Sequence, residues 1–359
     1  MNKRFFLLYA LCVAMVATLF ANCKGDDEPD VPPVIPSEYL YVLNCGVMGS
    51  NNASLTLYDV EKGKVSQCIF EMQNGRRLGE NGQDIIVYGS KMYIAMTEEN
   101  TIEVTDLEAK SIKQIKTDGG PRYFTAHGGK VYVTYFNGYV ARIDTTSLLV
   151  EAKTSVGRNP EQLTVANGKL YIANSGGLAF LTGEERDKTI SVVDIGSFTE
   201  TEKIVVIENP CNVVSDTKDH IYVVSKGNYE DIPNQLQKIN IKNNEVSTVK
   251  SMNATHIATV GTKLYSIYSL YDENWKPECL FYVYDMVSNT VLSDNFTGTT
   301  RIVGDPLVST DAESGEVYVT SASENYVNNG DVYIFDKSNQ FVTKFEAGIM
   351  PMKAVKIRR

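Results

Sequence analysis

One short phrase recurs along this chain, and it leaves few folds open. It is an apolar strand with a tyrosine near its centre: YLYVLN at Tyr41, KMYIAM at Tyr93, KVYVTY at Tyr132, KLYIAN at Tyr171, HIYVVS at Tyr222, KLYSIY at Tyr265 and EVYVTS at Tyr318. Successive tyrosines lie 39 to 53 residues apart, a period that marks a ring or stack of similar units. Each unit carries two more strand-like runs after the tyrosine phrase. They read SLTLYDV and KVSQCIF, TIEVTDL and IKQIKT, YVARIDT and LVEAKTS, and TISVVDI and TEKIVVI in the first four units. The later units continue with LQKINIK and EVSTVKS, LFYVYDM and TVLSDNF, and DVYIFDK and QFVTKFE. Alternating β-branched and aromatic residues between Gly, Asn and Asp are strand signals, and no long stretch has a helical period.

A fourth strand precedes the tyrosine phrase, as in GPRYFTA, NPEQLTV and NPCNVVS. Four short strands in each of seven units predict an all-β, seven-bladed β-propeller of four-stranded antiparallel blades, spanning residues 38–359. The ends predict how it closes. IMPMKAVKIRR matches the leading strand but nothing follows it, whereas the first unit opens directly on YLYVLN. One blade is therefore expected to combine both chain ends, with the C-terminal strand innermost and no open sheet edge. The recurrent tyrosines hold one blade position, so they are expected to pack the blades rather than bind anything.

The first 22 residues have the layout of a secretory signal: Lys3 and Arg4, the apolar run FFLLYALCVAMVATLF, then ANC. Cys23 stands where a lipoprotein signal places its acylated residue, although Asn22 and Phe20 make the site a relaxed one. Residues 23–37 add an acidic cluster and Pro29, Pro32, Pro33 and Pro36, which predict an extended tether. Losing Lys3 and Arg4 with the leader would move the formal net charge from -10 to -12. With no basic stripe, nucleic acid and anionic lipid are poor partners. Cys45, Cys68, Cys211 and Cys279 show no CxxC and no framework, and are expected to be small buried apolar residues.

In a blade of this kind, loops from first to second strand and from third to fourth share one face, and they are short here (YGSK, HGGK, ANGK; EKGK, KNNE). The remaining loops share the opposite face and are long, as in NCGVMGSNNAS, NSGGLAFLTGEERDK, SKGNYEDIPNQ, YSLYDENWKPEC and SASENYVNNG. Function is expected on that second face. It would offer Phe136, Phe180, Tyr229, Tyr271, Trp275 and Tyr326 as flat surfaces, with Asn44, Asn137 and Asn174 among its amides. Arg76, Arg122, Arg158 and Arg301 would reach the rim or channel mouth to pair with an anion. The same residues also suit plain roles: Asn in turns, aromatics in loop cores, arginines on neighbouring acids. No catalytic residue and no metal site is expected. Of the 3 histidines only His256 starts an innermost strand, and the zinc-protease, phosphate-loop and EF-hand signatures are missing.

The phrase NPEQLTVANGKLYIAN with TISVVDIGSFTETEKIVV resembles the YVTN or YncE-like class of seven-bladed propellers, over Ser37 to Arg359. Joined to a relaxed lipobox and an acidic cluster, which resemble those of surface-exported Bacteroidetes lipoproteins, the chain is similar to the BtuG lipoproteins. The resemblance implies cobalamin or another corrinoid as ligand, with no cofactor. It implies a TonB-dependent outer-membrane transporter as partner, and a lipid-anchored place on the outer-membrane surface. Two other readings stay open: a lactonase-like enzyme using His256, Arg122 and Glu161, and a propeller that binds a glycan or another protein.

Overall fold

The computed structural model describes residues 35–216, 218–271 and 277–359. The leader, Cys23, the tether through Val34, and Asn274 and Trp275 lie outside them. Strands run from β1 (Glu38–Asn44) to β28 (Pro351–Arg358) and form seven separate four-stranded antiparallel sheets. The innermost strands are β28, β4 (Gly82–Tyr88), β8 (Pro121–His127), β12 (Pro160–Ala166), β16 (Pro210–Ser215), β20 (His256–Val260) and β24 (Pro306–Thr310). Each touches the next, and β24 touches β28, so the seven-bladed ring is closed around a central channel.

Burial explains the composition of each strand. The tyrosine strands are covered on both sides by neighbouring blades, so β5 (Lys91–Met96) and β9 (Lys130–Tyr135) are buried along all but their first residue and read as continuous apolar runs. The outermost strands meet solvent on one side; β7 (Ser111–Lys116) and β15 (Thr199–Val205) are accordingly polar and largely exposed. Tyr93, Tyr132, Tyr171, Tyr222, Tyr265 and Tyr318 are all at most 2% exposed, as packing residues should be. Each full burial of such a side chain contributes about 1.5–3 kcal/mol, so this belt is a recurrent part of the packing between blades.

The ring closes as the sequence predicts, through β28 and β1. They pair antiparallel with Glu38 opposite Arg358 and Leu43 opposite Lys353, and a bulge precedes the Asn44–Pro351 pair. Ala354 and Ile357 enter the core at 2% exposure, while Lys356 donates to Glu38 and Glu316 at 2.8 Å each. Arg358 adds Asp311 at 2.5 Å and Glu313 at 3.3 Å. The closing strand is thus fixed by a ladder, an apolar face and charge.

Two stretches differ from expectation. KVSQCIF is predicted as one strand, yet β3 (Lys64–Ser66) stops early and a short helix, α1 (Ile69–Asn74), follows; Cys68 adopts φ 53, a left-handed conformation that ends the strand. YSLYDENWKPEC is predicted as a loop, yet β21 (Lys263–Tyr271) and β22 (Pro277–Asp285) extend the hairpin well into it. Tyr268 lies opposite Leu280 and Ser269 opposite Cys279, so the ladder continues with period 2 into residues expected to be loop. A single helical turn, α2 (Ala179–Thr182), sits inside the long fourth-blade loop. Cys45, Cys211 and Cys279 are free thiols.

Candidate ligand-binding face

The two faces of the ring differ for local reasons. On one, an aspartate ends the third strand and its side chain closes the turn: Asp59 accepts the Glu61 and Lys62 amides at 3.0 Å, Asp144 those of Thr146 and Ser147 at 3.1 and 2.7 Å, and Asp285 those of Val287 and Ser288 at 3.0 and 2.6 Å. Such Asx turns reverse the chain within a few residues and leave nothing to project. On the other face the loops are long and hold apolar side chains in solvent: Met48 at 76%, Phe180 and Leu181 at 67%, Tyr229 at 68%, Val327 at 50% and Tyr326 at 41% exposed. Tyr229 and Tyr326 sit at φ 65 and 57, a backbone region that aromatic residues seldom adopt and that aims each ring off the loop.

Where the channel opens on this face, the first residues of the inner strands form polar clusters. Arg122 donates to Glu161 Oε2 from Nε at 2.9 Å and Nη2 at 2.7 Å, and from Nη1 to Gln83 Oε1 at 2.7 Å. Gln83 in turn donates to the Tyr123 hydroxyl at 2.9 Å, and Asn212 donates to Gln162 at 3.1 Å. Lys353 pairs with Asp84 at 2.8 Å, whose other oxygen accepts the Phe124 amide at 2.9 Å. Burial pulls the Arg122 pKa down, but the Glu161 carboxylate outweighs it and the net shift is upward, so this arginine stays charged. A cavity of about 290 Å³ lies inside, with Tyr123, Gln162, Asn212 and Lys353 on its wall.

The expected binding residues divide. Phe136 stacks on Arg122 at 4.8 Å, and with Asn137 and Arg158 it lines a cavity of about 410 Å³ between blades three and four. Arg158 pairs with Glu184 at 2.5 Å, and Asn137 donates to the Asp118 carbonyl at 2.9 Å. Tyr229 borders another cavity, of about 380 Å³, between blades five and six. Tyr326 is exposed in the seventh-blade loop, Arg301 is exposed between blades six and seven, and Tyr271 ends β21. Arg76 lies away from the channel: it stacks on Phe70 at 4.8 Å and donates to both Glu103 oxygens at 2.9 Å, so it serves the blade's outer side.

Asn44 and Asn174 are placed in the interior instead of on the face. Both are 0% exposed and hold the same position, three residues after the strand tyrosine. Asn44 donates to Ser54 Oγ at 3.1 Å and Thr56 Oγ1 at 3.0 Å, and accepts the Gly348 amide at 3.0 Å. Asn174 donates to Ser191 Oγ at 2.8 Å and Thr189 Oγ1 at 3.0 Å. Each amide packs on an inter-blade glycine; a Cβ at Gly348 would stand 2.7 Å from Asn44 Nδ2, and one at Gly157 would stand 2.3 Å from Asn174 Cγ. These asparagines tie each strand end to the adjoining inter-blade glycine, and the shared register was the signal that separates them from surface amides. Sequence reasoning missed Lys226 and Asn234, which border the blade five and six cavity beside His256. Burial first, and then Lys226, push the His256 pKa down to about 3, so the imidazole is neutral at pH 7.

Among the described residues no group of three or more His, Cys, Asp or Glu is placed to hold a metal ion, and no helix is long and apolar enough to cross a membrane. No curated protein matches the chain in sequence. Solved propellers share its fold: a quinoprotein alcohol dehydrogenase-like protein from Bacteroides thetaiotaomicron has TM-score 0.62 and 15% identity, covering 89% of this chain and 78% of its own. Apo AztD from Citrobacter koseri has TM-score 0.54 and 8% identity over 90% and 98%. The Pan2 WD40 domain of Neurospora crassa has TM-score 0.53 and 8% identity over 76% and 80%. At these identities the likeness is one of fold. The family described as domain of unknown function DUF5074 matches residues 39–350, nearly the whole ring, and the chain belongs to that family.

Proposed function

We propose that the protein captures a small molecule at the long-loop face, that the molecule is a corrinoid such as cobalamin, and that it is passed to a TonB-dependent outer-membrane transporter while Cys23 holds the protein to the membrane by lipid. The observation that carries this reading is the gathering of three exposed aromatic side chains, Phe180, Tyr229 and Tyr326, in the long loops of one face. A corrin ring is broad and flat with amide arms, so it needs apolar surface plus scattered hydrogen-bonding groups, and rigid loops keep the ordering cost low. The leader and tether resemble those of surface lipoproteins, which suits capture outside the cell. Arg122 and Glu161 neutralise one another at the channel mouth, which favours holding a ligand over activating water there.

Calorimetric titration with cyanocobalamin, and with cobinamide for comparison, tests the reading. Saturable heat at one ligand per chain is expected for cyanocobalamin, weakened in Tyr229→Ala and Phe180→Ala. The absence of heat together with unchanged thermal stability at saturating cyanocobalamin overturns it.

A further inference from the structure

The cavity of about 380 Å³ between blades five and six is lined by several polar groups with few close partners. Its wall includes Lys226, Tyr229, Asn234, His256, Tyr268 and Leu270. Buried polar atoms in folded proteins almost always find partners, and each exception calls for a reason. Here Asn234 is such an exception, and two half-buried groups on the same wall have no close polar partner among the described residues. The Lys226 ammonium forms no ion pair or hydrogen bond with another described residue, and neither does the His256 imidazole. Both amide atoms of Asn234, Nδ2 and Oδ1, are buried without a partner.

Charge around the cavity points the same way. Arg186 stacks over the Tyr229 ring at 5.0 Å, and among the described residues it donates to the Gly177 carbonyl at 3.3 Å rather than to a carboxylate. By contrast Arg76, Arg122, Arg158 and Lys353 are all closed by an acid. Glu230 and Asp305 also border the cavity, but neither forms an ion pair with Lys226. Cys211 first of all draws the Lys226 pKa upward, with burial opposing it and Tyr229, Glu161 and Asp305 adding to it, so the ammonium persists. A cation with no close ion pair among the described residues, a neutral imidazole and an orphaned amide are what an oxyanion with hydrogen-bonding capacity would satisfy. Tyr229 and Leu270, 68% and 41% exposed, supply a flat apolar wall beside them.

We propose that this cavity binds the oxyanion of a small ring-bearing molecule, a carboxylate or a phosphate ester, with Lys226 on the anion and Tyr229 against the ring. The inference rests on the long-loop face being the ligand-capture surface, and it names the chemical group which that face recognises. The full-length protein would be titrated with benzoate, phenyl phosphate, inorganic phosphate and neutral benzyl alcohol, by calorimetry and thermal shift. Saturable binding of benzoate or phenyl phosphate, with benzyl alcohol at least tenfold weaker, is expected, and the stronger of the two anions identifies the head group. Lys226→Met should weaken the anions tenfold or more, while Lys238→Met, on the other side of the blade, should not. If Lys226→Met fails to fold, Tyr229→Ala at its exposed site carries the test: several-fold loss for the ring anions and none for inorganic phosphate. Equal binding of benzyl alcohol and benzoate, no effect of either variant, or no anion binding at all overturns the site. Cyanocobalamin binding without small-anion binding overturns this inference and leaves the capture reading, and the reverse result removes the corrinoid and keeps the site.

Discussion

Ile357→Ala should loosen the ring at its closure. Ile357 is 2% exposed and packs in one cluster with Tyr39, Tyr41 and Ile85, so its removal is felt by blades one and two together. Losing three buried carbons at about 0.8 kcal/mol each gives roughly 2.4 kcal/mol, and the cavity left behind brings the cost to about 3 kcal/mol. At about 2.1 cal/mol/K of unfolding entropy per residue, a ring of this size should show a fall in Tm on the order of 4–5 °C. Val205→Ala is the matched control: at 63% exposure on an outer strand it should cost less than about 0.5 kcal/mol. Thermal melts by circular dichroism would read both, with limited proteolysis of the first blade as a second probe. An Ile357→Ala protein that melts with wild type, and resists protease equally, would refute closure by the C-terminal strand.

Three further outcomes follow from the same geometry. Arg122→Met leaves Glu161, 11% exposed at its side chain, without its counter-ion, so chemical denaturation should show a loss of about 3–5 kcal/mol that Glu161→Gln largely restores. Tyr93→Phe removes a buried hydroxyl that has no partner and should be neutral or stabilising, whereas Tyr265→Phe breaks a 2.8 Å bond to Asn339 and should cost about 1 kcal/mol. Burial raises the Asp311 pKa, but Arg358 and Ser314 outweigh it and hold the group at about 2 against 3.8 in the unfolded chain. Its contribution is therefore full above pH 4 and lost as pH falls through 2, and Asp311→Asn should flatten the stability profile between those limits.

The fold was legible because its signal is repeated: one tyrosine position, read several times, fixes strand, blade and packing role together. Closure was legible too, since PMKAVKIR has the composition of an inner strand and YLYVLN of a second one. Local exceptions were not. A left-handed Cys68 and a hairpin that outruns its turn signals depend on tertiary contacts that no window of sequence holds. The site divided along the same line. Phe136, Arg122 and Tyr229 could be placed from loop membership, but Asn44 and Asn174 look like surface amides until their shared register is noticed. Lys226 and Asn234 carry no sequence signal, because what distinguishes them is the partner each lacks.

A ring sewn shut by its last strand also orders events during synthesis. The strand that β28 must meet is made first, and more than three hundred residues separate Leu43 from Lys353 opposite it. Loop-closure entropy and high contact order make that pairing slow to find, so the nascent chain stays an open array until β28 is free. A chain that stops just ahead of Pro351 would keep blades two to seven with their strands intact and leave blade one without its inner strand. In this sense β28 is built into the fold as a checkpoint: only a chain that carries Pro351–Arg358 can close the ring.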